Sequence, residues 1–176
     1  MTKKIFLTGY MCVGKTTIGN NLARKLNLPF VDTDLLIENY YQKKIIDIFE
    51  EKGEKEFRKI EQNTLQKIAK HKKNMVISTG GGTPCFFQNM ELMNISGITV
   101  YLKISTKLLT ERLINKKHIR PLIKNKNSEE IECFVSNNLL ERELFYNQAS
   151  VICHVDKMTD NDIVKYLVQK IQLMYE

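Results

Sequence analysis

At 176 residues, with 43% hydrophobic and 27% charged positions, the chain reads as one ordinary water-soluble domain long enough to bury a core. No apolar run approaches the about 20 residues that cross a bilayer. Lys3-Lys4 before Ile5-Phe6-Leu7 does not read as a signal peptide, since Lys15 interrupts the apolar segment and no small-residue cleavage site follows. The net charge of +7 fits a pocket for small anions and a lysine-rich surface better than nucleic acid. There is no run of five like charges and no arginine–aromatic interleaving. Cys12, Cys85, Cys133 and Cys153 form no CxxC pair, which speaks against a zinc site. A cytoplasmic monomer with neither nucleic-acid nor membrane partners is expected.

Short apolar runs alternate with longer amphipathic stretches, the rhythm of an α/β fold with a parallel sheet. Residues 4–8 predict a buried strand, and residues 15–26 a helix with Ile18, Leu22 and Leu26 on one face. A second strand is expected over 28–32, its start limited by Pro29. Helical patterns follow over 33–41, 45–52 and 54–70, with Gly53 as a break. The third strand, 75–79, stops at Gly80-Gly81-Gly82, and residues 98–102 and 151–155 predict two more. Helices are expected over 105–114, 128–146 and 160–174, the last two opened by caps at Ser128 and Thr159. Residues 115–127 are rich in Lys and Asn, lack apolar periodicity and carry Arg120-Pro121, the composition of a mobile lid. No repeat or linker divides the chain, so residues 1–176 read as a single domain.

Gly9-Tyr10-Met11-Cys12-Val13-Gly14-Lys15-Thr16 fits GxxxxGK[ST] at every fixed position, directly after a predicted strand and opening a predicted helix. Such a P-loop turns its N–H groups onto phosphate oxygens at a helix N-terminus. Lys15 would reach the β- and γ-phosphates and the Thr16 hydroxyl would ligate Mg²⁺. A guanine reader of NKxD type is missing, because Asn125-Lys126-Asn127-Ser128 lacks the aspartate. The loop also lacks the proline usual in adenylate-kinase-like enzymes, which leaves a small-molecule kinase.

Asp32-Thr33-Asp34 ends the second strand. Read as extended chain, its two carboxylates project to one side, at the strand end where α/β sheets bind ligands. One could hold a magnesium-bound water and the other accept a hydroxyl proton; an Asp before a helix can equally be only a cap. Arg58 and Glu61, at i and i+3, read on their own as a solvated surface pair. Three glycines after a strand imply a close approach of the backbone to a ligand. Arg142, four residues before Tyr146, completes the arginine set with Arg58 and Arg120.

In this order the P-loop, DTD, FRxxE, GGG, the RP pair in a basic loop and the Arg with a Tyr four residues on resemble shikimate kinase. The resemblance runs from Gly9 to Tyr146. It implies a P-loop nucleoside-monophosphate-kinase-like fold: a five-stranded parallel sheet in the order 2-3-1-4-5, flanked by helices, with an acceptor-binding helical segment at about 33–61 and a lid at about 115–127. It also implies transfer of the ATP γ-phosphoryl group to the 3-hydroxyl of shikimate. Cys12, Val13, Gly14, Lys15, Thr16 and Thr17 would hold ATP, with Arg120 swinging onto its phosphates and Arg112 beside the adenine. Asp34, Arg58, Gly80, Gly81, Gly82 and Arg142 would bind shikimate, the two arginines gripping its carboxylate and Glu61 orienting Arg58. Lys15, Asp34 and Arg120 would be catalytic, and Thr16 would hold Mg²⁺ directly, with Asp32 and Ser78 acting through water. Three departures stand out: Cys12 and Val13 replace small residues, Leu144 replaces a proline, and Asp156-Lys157-Met158 lacks an arginine. A gluconate-type sugar-acid kinase is the alternative enzyme; a non-catalytic nucleotide sensor or a basic RNA-binding protein is the alternative class.

Overall fold

The structure is a computed structural model that describes residues 4–115 and 125–174. Five strands, β1 (Lys4–Thr8), β2 (Phe30–Asp32), β3 (Met75–Ser78), β4 (Ile98–Lys103) and β5 (Val151–His154), form one sheet in the order β2-β3-β1-β4-β5. Every neighbouring pair is parallel. Seven α-helices connect them among the described residues: α1 (Lys15–Leu26), α2 (Thr33–Tyr41), α3 (Ile45–Lys70), α4 (Asn89–Ser96), α5 (Thr106–Ile114), α6 (Ser128–Tyr146) and α7 (Asp160–Leu173).

The sheet is covered on both faces, and the alternation along β1 shows how. Ile5 and Leu7 belong to the larger core with Ile18, Leu22, Leu109 and Leu167. Phe6, pointing the other way, joins Leu65, Ile77 and Met93. All five residues of β1 are buried, as a central parallel strand requires. A third cluster, Ile37, Ile48, Phe57 and Ile60, packs α2 against α3.

One expected boundary holds and four expectations need correction. The helices expected over 45–52 and 54–70 meet at Gly53, whose φ of 74° and ψ of 166° are non-helical, so α3 runs as two helical stretches across a kink. The second strand begins at Phe30 rather than 28, because Leu28 N–H still bonds the end of α1 and Pro29 has none to give. The cap of α6 is Asn127, not Ser128: its side chain accepts from Glu130 N–H while Glu130 reaches back in a capping box. Asp34 already lies in the first turn of α2, so strand alternation does not align it with Asp32. A short 3₁₀ turn (Thr83–Cys85) and α4 were not anticipated; α4 is entered through Gln88 with no side-chain cap, so its sequence carries no start signal.

Candidate active site

The site lies at the C-terminal ends of β1, β2 and β3, beside the central strand from which the sheet order runs in both directions. A cavity of about 230 Å³ is lined there by Met11, Cys12, Gly14, Lys15, Thr16, Thr17, Asp32, Asp34, Ser78, Thr79 and Gly81. That volume suits a polyphosphate chain more than a whole nucleotide.

The P-loop joins β1 to α1. Gly14, at φ 108°, precedes the first turn of α1 in a conformation that side chains rarely adopt. Cys12 adopts the left-handed region too, at φ 66°, which accounts physically for the small residue expected there. Cys12 lines the cavity, whereas Val13 is buried in the core and is not part of the lining. Lys15 Nζ lies 2.8 Å from the Gly9 carbonyl and 3.0 Å from that of Tyr10. From the far side, Arg112 on α5 donates to the Val13 carbonyl at 3.0 Å and to that of Cys12 at 3.4 Å.

The two aspartates divide their tasks. Asp32 caps α2, accepting from the N–H groups of Asp34 and Leu35, and takes the Thr16 hydroxyl at 2.8 Å. Asp34 is not the cap. Burial first, then the neighbouring Asp32 charge, push its carboxyl up to about 6, against the opposing pull of Lys15. Thr16, Asp32 and Ser78 converge as hard oxygen donors, a set suited to Mg²⁺, which prefers few carboxylates and retained waters. Among the described residues no cluster of three or more His, Cys, Asp or Glu could hold a metal by itself.

Beyond the cavity, the triple-glycine turn is a meeting place for side chains. None of its three glycines has a positive φ; the requirement is space. A Cβ on Gly80 would lie 2.7 Å from Glu61 Oε1 and 2.9 Å from Asp34 Oδ1, and one on Gly82 would lie 2.6 Å from Arg58 Nη1. Gly81 faces the P-loop and comes within 3.8 Å of Arg142 Nη1 by the same measure. The close approach expected of this turn is therefore made in large part to side chains of the site itself.

Arg58 and Glu61 are no surface pair. They bond at 2.7 Å with side chains only 11% and 3% exposed. Thr83 donates to the other oxygen of Glu61 at 2.5 Å, and Glu54 adds a second carboxylate to Arg58 at 3.1 Å. The guanidinium also stacks over Phe86, 4.4 Å from the ring centre. Thr83 and Phe86 were missed because the 3₁₀ turn that brings them here has no periodicity to read. Arg142 stands on the other side of the turn, over the Tyr10 ring at 5.1 Å. Tyr146 donates to the Gly81 carbonyl at 2.5 Å and thereby ties the end of α6 to the turn. Arg120 lies outside the described residues, as do the central positions of the expected lid.

Fold and site together define a P-loop phosphotransferase. The family profile described as shikimate kinase matches residues 11–172. The chain is 63% identical over 169 residues to a shikimate kinase of Azobacteroides pseudotrichonymphae, covering 96% of this chain and 99% of that one. A crystal structure of shikimate kinase from Bacteroides thetaiotaomicron superposes with a TM-score of 0.88 at 43% identity, covering 98% of each chain. The Acinetobacter baumannii shikimate kinase, solved in complex with shikimate, gives 0.87 at 31% identity, with 99% and 95% covered. A gluconokinase from Sinorhizobium meliloti, at 17% identity and a TM-score of 0.58, shares the fold alone. The chain belongs to the shikimate kinase family, and is an ATP-dependent kinase.

Proposed function

We propose that this chain transfers the γ-phosphoryl group of ATP to the 3-hydroxyl of shikimate, in the cavity between the P-loop and the triple-glycine turn. One observation carries the reading: Asp34 shares that cavity with Lys15 and Thr16, is not spent on capping α2, and has its carboxyl raised to about 6. An aspartate so placed is poised near the operating pH to accept the acceptor hydroxyl's proton. Lys15 leaves its own loop carbonyls for the β- and γ-phosphates, which the P-loop N–H groups from Cys12 to Thr17 cradle.

Thr16, with Asp32 and Ser78 through water, would hold Mg²⁺, which supplies charge neutralisation between the phosphates. Arg58 and Arg142 grip the shikimate carboxylate, and Gly80, Gly81 and Gly82 give the substrate access to backbone. Glu61 keeps Arg58 in place. Arg112 serves the adenine side, and Arg120 reaches the phosphates when a lid at 115–127 closes and excludes water. In this reading residues 1–176 work as one kinase domain, a cytoplasmic monomer with an acceptor-binding segment at 33–61. Among the described residues no helix is long and apolar enough to cross a membrane.

The test is ADP release with Mg²⁺ and ATP in the presence of shikimate, gluconate or no acceptor. Release with shikimate alone is expected; equal release with gluconate, or release independent of acceptor, rejects the assignment.

A further inference from the structure

Among the described residues, Arg58 is flanked by two carboxylates while Arg142 makes no ion pair with any. What holds Arg142 is aromatic. The Tyr146 phenol oxygen takes one hydrogen bond from it, and its guanidinium carbon lies 5.1 Å from the centre of the Tyr10 ring, within the range of a cation–π contact. Tyr10 belongs to the P-loop yet points into the core, only 1% exposed, and its hydroxyl has no hydrogen-bond partner. A buried phenol that leaves its oxygen unbonded is costly, so what this position uses is the ring.

We propose that Tyr10 is a positioning residue for acceptor binding: its ring is the platform that orients Arg142 toward the acceptor carboxylate. The inference rests on the reading of Arg142 as a carboxylate grip. A guanidinium is held in plane by an aromatic face without surrendering its N–H donors, whereas a carboxylate partner would occupy them. Arg58 is fixed chiefly by the second means and Arg142 by the first. Arg142 therefore keeps its charge, and the N–H donors that Tyr146 does not take, for the substrate. The platform also makes one loop serve both substrates, since the residues four to six positions after Tyr10 line the cavity proposed for the phosphates.

The experiment compares Tyr10→Phe, Tyr10→Leu and Tyr10→Met in steady-state kinetics, with thermal melts to identify folded variants, each also in an Arg142→Gln background. The phenylalanine variant should keep the shikimate KM within about twofold. The two aliphatic variants should raise it by about 3- to 30-fold, the span of a cation–π contact, while the ATP KM moves less than about twofold. In Arg142→Gln, whose own shikimate KM should be well above the parent's, changing Tyr10 should add nothing further. The proposal is overturned if phenylalanine is as damaging as leucine, if the ATP KM rises in step with that of shikimate, or if the Tyr10 and Arg142 effects multiply. An unchanged shikimate KM in Arg142→Gln alone would reject the carboxylate grip itself, and the platform with it. Should leucine and methionine both abolish folding, a phenylalanine variant with raised shikimate KM still overturns it.

Discussion

The proposed phosphate end and the proposed acceptor end of the site are built in opposite ways. At the phosphate end one contiguous segment, Gly9 to Thr17, supplies most of the wall, and the turn from β1 into α1 shapes it. At the acceptor end the groups come from α2, α3, the glycine turn and α6, and they are positioned by one another: Thr83 on Glu61, Glu61 on Arg58, Tyr146 on Gly81. A local site can be written as a motif. A distributed site exists only once the chain has folded around it, so its members look like surface residues until their neighbours are known.

The largest effect should come where the two ends meet. Asp34→Asn is expected to lower kcat by about 10²- to 10⁴-fold, the usual worth of a general base. The parent's kcat/KM for shikimate should fall tenfold per pH unit below about 6, with that limb missing in the variant. Stability should move the other way. The folded-state value is raised above the unfolded one, so the contribution of Asp34 is fully present below pH 3.8 and is lost as pH rises through about 6. Denaturant melts without metal should then find Asp34→Asn more stable than the parent at about pH 7.5, by at most about 3 kcal/mol, and equal to it at about pH 3.5. A less stable variant at the higher pH would place a structural role on Asp34.

Next is the phosphate end alone. Lys15→Met should cut kcat by about 10²-fold or more while leaving the melting temperature within a few degrees, as loss of one preorganised cation implies. Comparable turnover in a folded variant would break the comparison, because the motif would then not be where catalysis is done.

The acceptor end should respond through stability as well as binding. Glu61→Ala leaves Arg58 in a buried setting without its principal partner, a change that costs about 3–5 kcal/mol. Urea melts should show that loss, with the shikimate KM raised and the ATP KM nearly constant. An effect below about 1 kcal/mol would return Arg58 and Glu61 to the surface pair their spacing suggests. The smallest effect is expected at Cys12. Cys12→Gly relieves a left-handed side chain at about 1 kcal/mol and loosens the unfolded chain by nearly as much, so its melting temperature should rise by only a few degrees or stay unchanged.

This contrast also explains what could be read from sequence. The five strands, the helix after the P-loop and the kink at Gly53 were legible because apolar period and glycine placement are local signals. The pairing order of the sheet came with the family resemblance, not from the strands themselves. Asp32 and Asp34 were correctly taken to the cavity but by a faulty route, since Asp34 arrives there on the first turn of α2. Glu61 was misjudged as exposed because i,i+3 spacing says nothing of the 3₁₀ turn that covers it. Tyr10 stood inside the motif and went unread, as its role depends on a helix far along the chain.

Gly80 and Gly82 carry a consequence for how such a sequence can drift. Their backbones are ordinary, and only the partners' atoms forbid a side chain. The ban is thus conditional: it lasts while Glu61, Thr83 and Arg58 keep their reach, and the order of changes becomes asymmetric. Shortening Thr83 first opens part of the room in which an alanine at Gly80 could then be accommodated, whereas alanine arriving first collides with three groups at once. These glycines persist as hostages of their neighbours, and a lineage that remodelled its acceptor grip would be free to lose them afterwards, never before.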